Sequence, residues 1–311
     1  MKDKILGLHH ITAIAGSAKR NLDFYTKVLG LRLIKKTVNF DDPNTYHFYF
    51  GDETGSPGSI LTFFPWEGIV SGRRGTGMVT EIGYSVPKGS LDFWIKRFDK
   101  FNVTYNKPAE KFGEQYLTFL DPDGLKFELI ESNGEDKREP FETAEVKAAV
   151  ATKGFHNITL TLSAIKKTAE ILTDVFGYKL DSENINRFRF KTDTLETANI
   201  VDLVEAPGEQ RAFNGGGTVH HVAFRVKDEE TLMKFRDKVV QAGLDITPKI
   251  DRNYFFSLYF REPGGVLFEI ATDNPGFSVD ESVSELGKNL RLPVQYESRR
   301  AQIEKVLPKL D

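Results

Sequence analysis

The sequence predicts an α+β fold of four βαβββ modules, paired into two open barrel-like domains and followed by a C-terminal helical tail. Three observations carry this expectation. The order strand, helix, three strands can be traced four times along the 311 residues, and such self-similarity marks a chain built from repeats of one supersecondary unit. Three of the four helical stretches stop just before a glycine, at Gly30, Gly177 and Gly243, where the left-handed conformation that closes a helix favours glycine. The pair His9-His10 opens a strand-like segment near one end of the chain, and His220-His221 opens another near the other end.

Module one opens with His9-His10-Ile11-Thr12-Ala13-Ile14, runs through an amphipathic helix near 17–29, and continues in strand-like stretches at about 31–40, 45–51 and 58–64. Module two opens with Thr80-Glu81-Ile82-Gly83-Tyr84-Ser85-Val86, has a helix around 89–101, and closes with strands at 116–120 and 126–130. Between those strands Asp121-Pro122-Asp123-Gly124 puts Pro and Gly at the second and fourth positions of a β-turn, where each is favoured. Module three opens with Phe155-His156-Asn157-Ile158-Thr159, has a helix near 164–176 and finishes with a strand at 199–203. Module four opens with His220-His221, has a helix near 229–242, and closes at 266–270 after the turn Glu262-Pro263-Gly264-Gly265.

Charged residues poor in aromatics fill 132–153, so 136–153 reads as a linker. It divides an N-terminal domain, 1–135, holding modules one and two, from a C-terminal domain, 154–273, holding modules three and four. The triple glycine 215–217 before the second histidine pair reads as a flexible lid or a plain connecting loop. Arg73-Arg74 reads as a solvated loop before an anion site. The tail, 274–311, ends in a helix-like run with Ile303, Val306 and Leu307 apolar among charges. It is expected to pack against the body or a partner subunit, which leaves a homo-oligomer open.

Composition narrows the function. With 40% hydrophobic residues the chain can build two cores. A net charge of −3 gives nucleic acid or an anionic membrane little to bind, so the expected partner is a small molecule. Zero cysteines excludes disulfides, thiolate nucleophiles and cysteine-ligated metals, leaving histidines and carboxylates as ligands. No run approaches the roughly 18 apolar residues of a membrane span, and a cytoplasmic protein is expected.

The chemistry is expected where the histidines are. Four of six histidines fall at equivalent points of two modules. Adjacent strand residues point to opposite faces, so one histidine of each pair can face a shared interior. The last strand of module four supplies Glu269, with Glu128 and Asp202 as its counterparts in other modules. Two neutral imidazoles and one carboxylate make a facial set that leaves coordination positions open, as in non-haem Fe(II) oxygenases; Mn(II) would also suit it. Modules two and three, with Glu81 and with His156-Asn157, lack a complete set. His47, alone in an aromatic strand, reads as structural.

Several stretches together resemble the vicinal oxygen chelate superfamily, which contains glyoxalases and extradiol dioxygenases, and more narrowly its ring-cleaving hydroquinone dioxygenases of the dichlorohydroquinone type. They are His9-His10-Ile11-Thr12, Tyr46-His47-Phe48-Tyr49-Phe50-Gly51-Asp52, Pro87-Lys88-Gly89-Ser90-Leu91, His220-His221, Gly264-Gly265-Val266-Leu267-Phe268-Glu269 and Leu290-Arg291-Leu292-Pro293. The resemblance covers all four modules. It implies that His10, His221 and Glu269 bind Fe(II), and that modules one and four form one cavity. It also implies that His9, His220, Thr12, Arg252 and Tyr259 contact the ligands or the substrate. Zn(II) is left open as an occupant of purified protein. Around Arg252 the run Asn253-Tyr254-Phe255-Phe256 departs from the dichlorohydroquinone type, which leaves the ring substituents open.

The implied reaction binds an aromatic diol to Fe(II) through a deprotonated oxygen, activates O2 at the same centre and opens the ring. His9 and His220, with an ordinary pKa near 6.5, are the expected acid–base groups. Arg252 would hold an oxyanion or carboxylate, and Tyr259 would donate a hydrogen bond; the plain alternatives are a surface ion pair and a core aromatic. Two rival functions remain: a glyoxalase-type isomerase using Zn²⁺ or Ni²⁺, and a metal-free small-molecule binding protein of the same fold.

Overall fold

The computed structural model describes residues 3–310. Module one consists of β1 (Leu8–Ala15), α1 (Ala18–Asp23), which runs into a π-helical turn at Phe24–Val28, β2 (Arg32–Val38), β3 (Tyr46–Gly51) and β4 (Ile60–Pro65). Module two has β5 (Met78–Val86), α2 (Leu91–Lys100), β6 (Ala109–Lys111), β7 (Glu114–Leu120) and β8 (Lys126–Glu131). Module three has β9 (Phe155–Leu162), α3 (Lys166–Glu170) with a second π-helical turn at Ile171–Val175, β10 (Lys179–Asn184), β11 (Arg187–Lys191) and β12 (Ile200–Glu205). Module four has β13 (Thr218–Val226), α4 (Glu229–Gln241), β14 (Ile250–Asp251), β15 (Phe255–Arg261) and β16 (Leu267–Pro275). Gly30 and Gly177 close their helical segments at φ +71° and +83°, as the sequence requires.

The sixteen strands form two curled sheets of eight, in the orders β14-β15-β16-β13-β1-β4-β3-β2 and β10-β11-β12-β9-β5-β8-β7-β6. At the centre of each, the opening strands of two modules meet antiparallel, β1 with β13 and β5 with β9. The sheets therefore pair module one with four and two with three, across the linker. This corrects the expected grouping of modules one and two into one barrel within 1–135. Each module leaves its opening strand as a free edge, and any two such edges can pair. Local patterning encodes a strand and its buried face but not its partner.

Aromatic packing, by contrast, follows chain order. Tyr25 lies 4.6 Å from Phe63 of its own module and 6.0 Å from Phe127 of module two, and its hydroxyl donates to Asp121 at 2.9 Å. Phe176 of module three lies 4.7 Å from Phe224 of module four. Consecutive modules thus share aromatic cores while the sheets tie the chain's two ends together.

The connections from β4 to β5 and from β12 to β13 run side by side, with bridges Ser71–Gly216, Arg73–Phe213 and Thr76–Arg211. Their backbones come so close that a Cβ on Gly75 would lie 2.1 Å from the Gln210 carbonyl oxygen, and one on Gly215 would lie 2.5 Å from that of Val70. Glycines 215–217 therefore form a tight crossing and not a lid. Arg74 donates to the Gly124 carbonyl beside this junction.

The tail packs on the body through buried Ile303 and Leu307, while Val306 is exposed. Before α5 (Arg300–Val306) it is latched to β2 by Lys35, which is buried and donates to Asp280 at 2.7 Å and to Glu281. Among the described residues no helix is long and apolar enough to cross a membrane.

Candidate metal centre

Strand register brings the expected ligands together. His10 lies opposite Ala223 and Thr12 opposite His221 in the β1–β13 pair. Ala223 lies opposite Glu269 in the β13–β16 pair, and Tyr259 opposite Glu269 in the β15–β16 pair. Because facing residues and those two apart share a face, His10, Thr12, His221, Glu269 and Tyr259 converge on one concave surface. Ala223 is its floor, and its small side chain leaves room between the two histidines and the glutamate.

The Nε2 atoms of His10 and His221 lie 3.1 and 2.9 Å from Glu269 Oε2. The three ligand atoms are within 4.8 Å of one another, and all three residues are buried. Glu269 Oε1 accepts a hydrogen bond from the Ser257 hydroxyl. Oε2 has no hydrogen-bond partner although it is fully buried. A buried, unpartnered carboxylate oxygen facing two imidazole nitrogens is costly without a cation, so this donor set fits a divalent metal.

The first histidine of each pair explains the doubling. His9 Nε2 donates to the Thr272 carbonyl at 3.1 Å, so its Nδ1 is the acceptor in the 2.9 Å contact with His10 Nδ1. His10 Nδ1 then carries the proton, and its Nε2 lone pair faces Glu269. His220 and His221 repeat the contact between Nδ1 atoms at 2.7 Å. With His221 Nε2 turned to the ligand site, His220 accepts at Nδ1 and keeps a proton on Nε2. Such partners fix the tautomer and orientation of metal-binding imidazoles.

Electrostatics separates the two kinds of group. Burial works against ionisation of Glu269, but positive charge on His10 and His221, when these rings are protonated in place of a bound cation, holds its pKa well below the usual carboxylate range. Burial and the adjacent His10 push His9 well below its ordinary value, and burial with His221 brings His220 to about 3. The value near 6.5 expected for these two histidines therefore does not hold. Removal from water disfavours the imidazolium, so both rings stay neutral at pH 7.

A cavity of about 270 Å³ opens on the triad. Its walls include Phe40, Phe64, Trp66, Phe255 and Leu267, and its polar lining includes Thr12, His47, His220, Arg252 and Tyr259. Arg252 Nε donates to the Tyr259 hydroxyl at 3.3 Å, leaving the tyrosine proton free to point elsewhere. Its guanidinium also lies 5.7 Å from the Phe40 ring centre and 4.0 Å from the exposed Asp41 carboxylate. His9 is absent from the cavity wall because both of its ring nitrogens are engaged behind His10. Sequence reasoning missed Ser257, Ala223 and the module-one wall. His47 and Tyr49, two apart on β3, carried the available signal, since alternation places them on one face.

The second sheet offers no such donor set. Register places Asn157 where His10 stands, Gly83 where Ala223 stands, and Glu81 and Glu128 where His221 and Glu269 stand. Each acid is taken. Arg187 and Lys126 hold Glu81 at 3.0 and 2.6 Å, Lys111 holds Glu128, and Asn157 Nδ2 donates to Asp202 at 3.1 Å. Arg189 bridges Asp202 at 2.9 Å and Glu114 at 2.8 Å. A larger depression of about 390 Å³ lies beside this network, but its buried charges are already paired.

The family model for the glyoxalase/bleomycin resistance protein/dioxygenase superfamily matches residues 7–129 and 154–270. The chain belongs to that superfamily. Its relatives there include MhqO of Bacillus subtilis, provisionally named a ring-cleaving dioxygenase, which is 48% identical over 99% of this chain and 97% of its own. The chlorohydroquinone/hydroquinone 1,2-dioxygenase of Sphingobium indicum is 35% identical over 97% of this superfamily member and 96% of its own length. A crystal structure of a dioxygenase-like protein from Bacillus subtilis superposes with a TM-score of 0.95 at 47% identity, covering 99% of this chain and 98% of that one. Maize glyoxalase I shares the fold, with a TM-score of 0.63 at 15% identity. This superfamily member is an enzyme that groups with the ring-cleaving dioxygenases.

Proposed function

We propose that the protein is an Fe(II)-dependent, extradiol-type ring-cleaving dioxygenase acting on a hydroquinone or catechol-like aromatic diol. The observation that carries this reading is the buried His10–His221–Glu269 set opening on an aromatic-walled cavity of about 270 Å³. The kinship with a chlorohydroquinone/hydroquinone dioxygenase supports it. A bound Fe(II) would acidify a coordinated hydroxyl and supply the one-electron chemistry that O2 requires. One ring carbon–carbon bond breaks and both atoms of O2 enter the product, so no external reductant is consumed.

The chain's own residues then have defined tasks. His9 and His220 hold the ligand rings in register, and the His220 Nε2 proton is available to an acceptor in the cavity. The Tyr259 hydroxyl, accepting from Arg252, donates its own proton to a substrate oxygen. Arg252 balances negative charge on the substrate or on the carboxylate released by ring opening. Phe64, Trp66 and Phe255 exclude water around the ring. The expected setting is cytoplasmic, with the diol and O2 as partners. Against the isomerase alternative, only three candidate metal ligands cluster here among the described residues.

The test is oxygen uptake by anaerobically purified protein reconstituted with Fe(II), with methylhydroquinone, a chlorinated hydroquinone and catechol as substrates. Iron-dependent uptake with a ring-opened chromophore is expected. Bound iron without uptake on any of the three would overturn the assignment.

A further inference from the structure

The cavity holds a second line of polar side chains that the ligand set does not use. Thr12 Oγ1 and Thr62 Oγ1 are 2.8 Å apart, Thr62 Oγ1 and His47 Nε2 are 2.9 Å apart, and His47 Nδ1 and the Tyr49 hydroxyl are 3.0 Å apart. Strand register accounts for the line: Thr12 is opposite Thr62 in the β1–β4 pair, Thr62 is opposite Tyr49 in the β3–β4 pair, and His47 is two residues from Tyr49. All four side chains are buried, with Thr12, His47 and Tyr49 on the cavity wall.

Counting protons gives the line a direction. The Tyr49 hydroxyl has no described hydrogen bond except that with His47, and burial keeps it protonated. Burial also keeps His47 neutral. If Tyr49 donates to Nδ1, the imidazole proton lies on Nε2 and is given to Thr62. Thr62 then donates to Thr12, whose own proton is left for the cavity. The opposite order would turn the Tyr49 O–H away from its one described partner and leave it without a protein acceptor among the described residues, and such groups are rare because they are costly. Thr12 stands opposite His221 and two residues from His10, so the surplus donor emerges beside the ligand set.

We infer that His47, Thr62 and Tyr49 are positioning residues whose directed hydrogen-bond chain fixes the Thr12 hydroxyl as a donor, selecting substrates that present an acceptor oxygen, such as a deprotonated phenol, at that point. His47 thus acts through Thr12, neither as a metal ligand nor as filler. This inference rests on the ring-cleaving reading of the same cavity.

Tyr49→Phe removes the terminal donor and frees the chain to reverse. Supporting partners of a reactive group are typically worth about 10- to 100-fold. The variant should therefore bind 4-nitrocatechol about tenfold more weakly than wild type under anaerobic Fe(II) loading, and turn over about tenfold more slowly. Fe(II) affinity should stay at the wild-type level, while thermal stability should fall modestly because buried His47 Nδ1 loses its partner. Thr12→Val should cause the larger loss, and adding Tyr49→Phe to it should cost nothing more, because coupled residues are non-additive. His47→Gln, which can accept and donate along the same line, should recover most of the binding lost in His47→Phe. Wild-type binding in Tyr49→Phe, additive losses in the double variant, or a parallel loss of metal would each overturn the inference. Failure of wild type itself to bind 4-nitrocatechol or consume O2 would instead remove the reading on which it rests.

Discussion

Replacing Glu269 by Gln should strengthen the metal-free protein and weaken the metal-loaded one. In the metal-free protein Glu269 Oε2 is fully buried without a hydrogen-bond partner, 3.1 and 2.9 Å from the Nε2 atoms of His10 and His221. Both nitrogens present lone pairs because their protons are on Nδ1. A glutamine would keep its carbonyl oxygen on the Ser257 hydroxyl and turn two amide N–H groups toward those lone pairs, at distances suited to hydrogen bonds. An unsatisfied buried acceptor costs about 1–3 kcal/mol, more when charged, and each new bond returns about 1 kcal/mol. The metal-free variant should gain roughly 1–3 kcal/mol, or about 2–6 °C in Tm for a chain of this size. Metal at 1,000 times its Kd stabilises a protein by about 4 kcal/mol, and that increment should vanish with the anionic ligand. Calorimetric scans with chelator and with saturating Fe(II) or Mn(II) measure both halves. A variant less stable than wild type in chelator, yet still raised in Tm by metal, would refute the reasoning.

Ala223→Leu should fill the floor of the site and abolish metal retention. Overpacking costs about 1–3 kcal/mol, so the fold should survive by circular dichroism; full metal content would count against the floor assignment. His9→Phe should lower metal affinity about 10- to 100-fold, measured by competition with a chromophoric chelator, and an unchanged affinity would mean that the Nδ1 contact does not orient His10. For Glu114 burial acts to raise the pKa, but hydrogen bonds and charge from His156 and Arg189 bring it to about 2. Its contribution is therefore present above the ordinary value of 4.5 and lost as pH falls toward 2. After allowance for solvent screening this is worth about 2 kcal/mol. Urea unfolding of Glu114→Gln should show that much less acid dependence between pH 5 and 2, and a slope equal to wild type would exclude the linkage.

Much of this was legible before any coordinates. The four modules followed from periodicity and helix-ending glycines, because a strand or a helix is encoded locally. The paired histidines and Glu269 stood out because recurrence at equivalent positions is independent of composition. Sheet partnership was not legible: β1 must choose among similar opening strands, and nothing near His9-His10 names β13 as its mate. His47 was read as structural because a lone histidine in Tyr46-His47-Phe48-Tyr49 carries no pattern of its own. Its meaning depends on Thr62, which only the β3–β4 register brings near. Glu128 and Asp202 were read as counterparts of a metal ligand, and their positions were correctly matched. That Lys111 and Arg189 face them could not be read from residues so far apart in sequence.

The union of β1 with β13 sets an order of events during synthesis. β1 emerges from the ribosome first, but its partner follows roughly 200 residues later, a delay of about 10–40 s at ordinary elongation rates. Modules two and three need no such wait, so their sheet can close while the first strand still has a bare edge. The metal-binding pocket can then form only after β16 has been made, later than the second sheet, and a loaded site certifies that modules one and four have met.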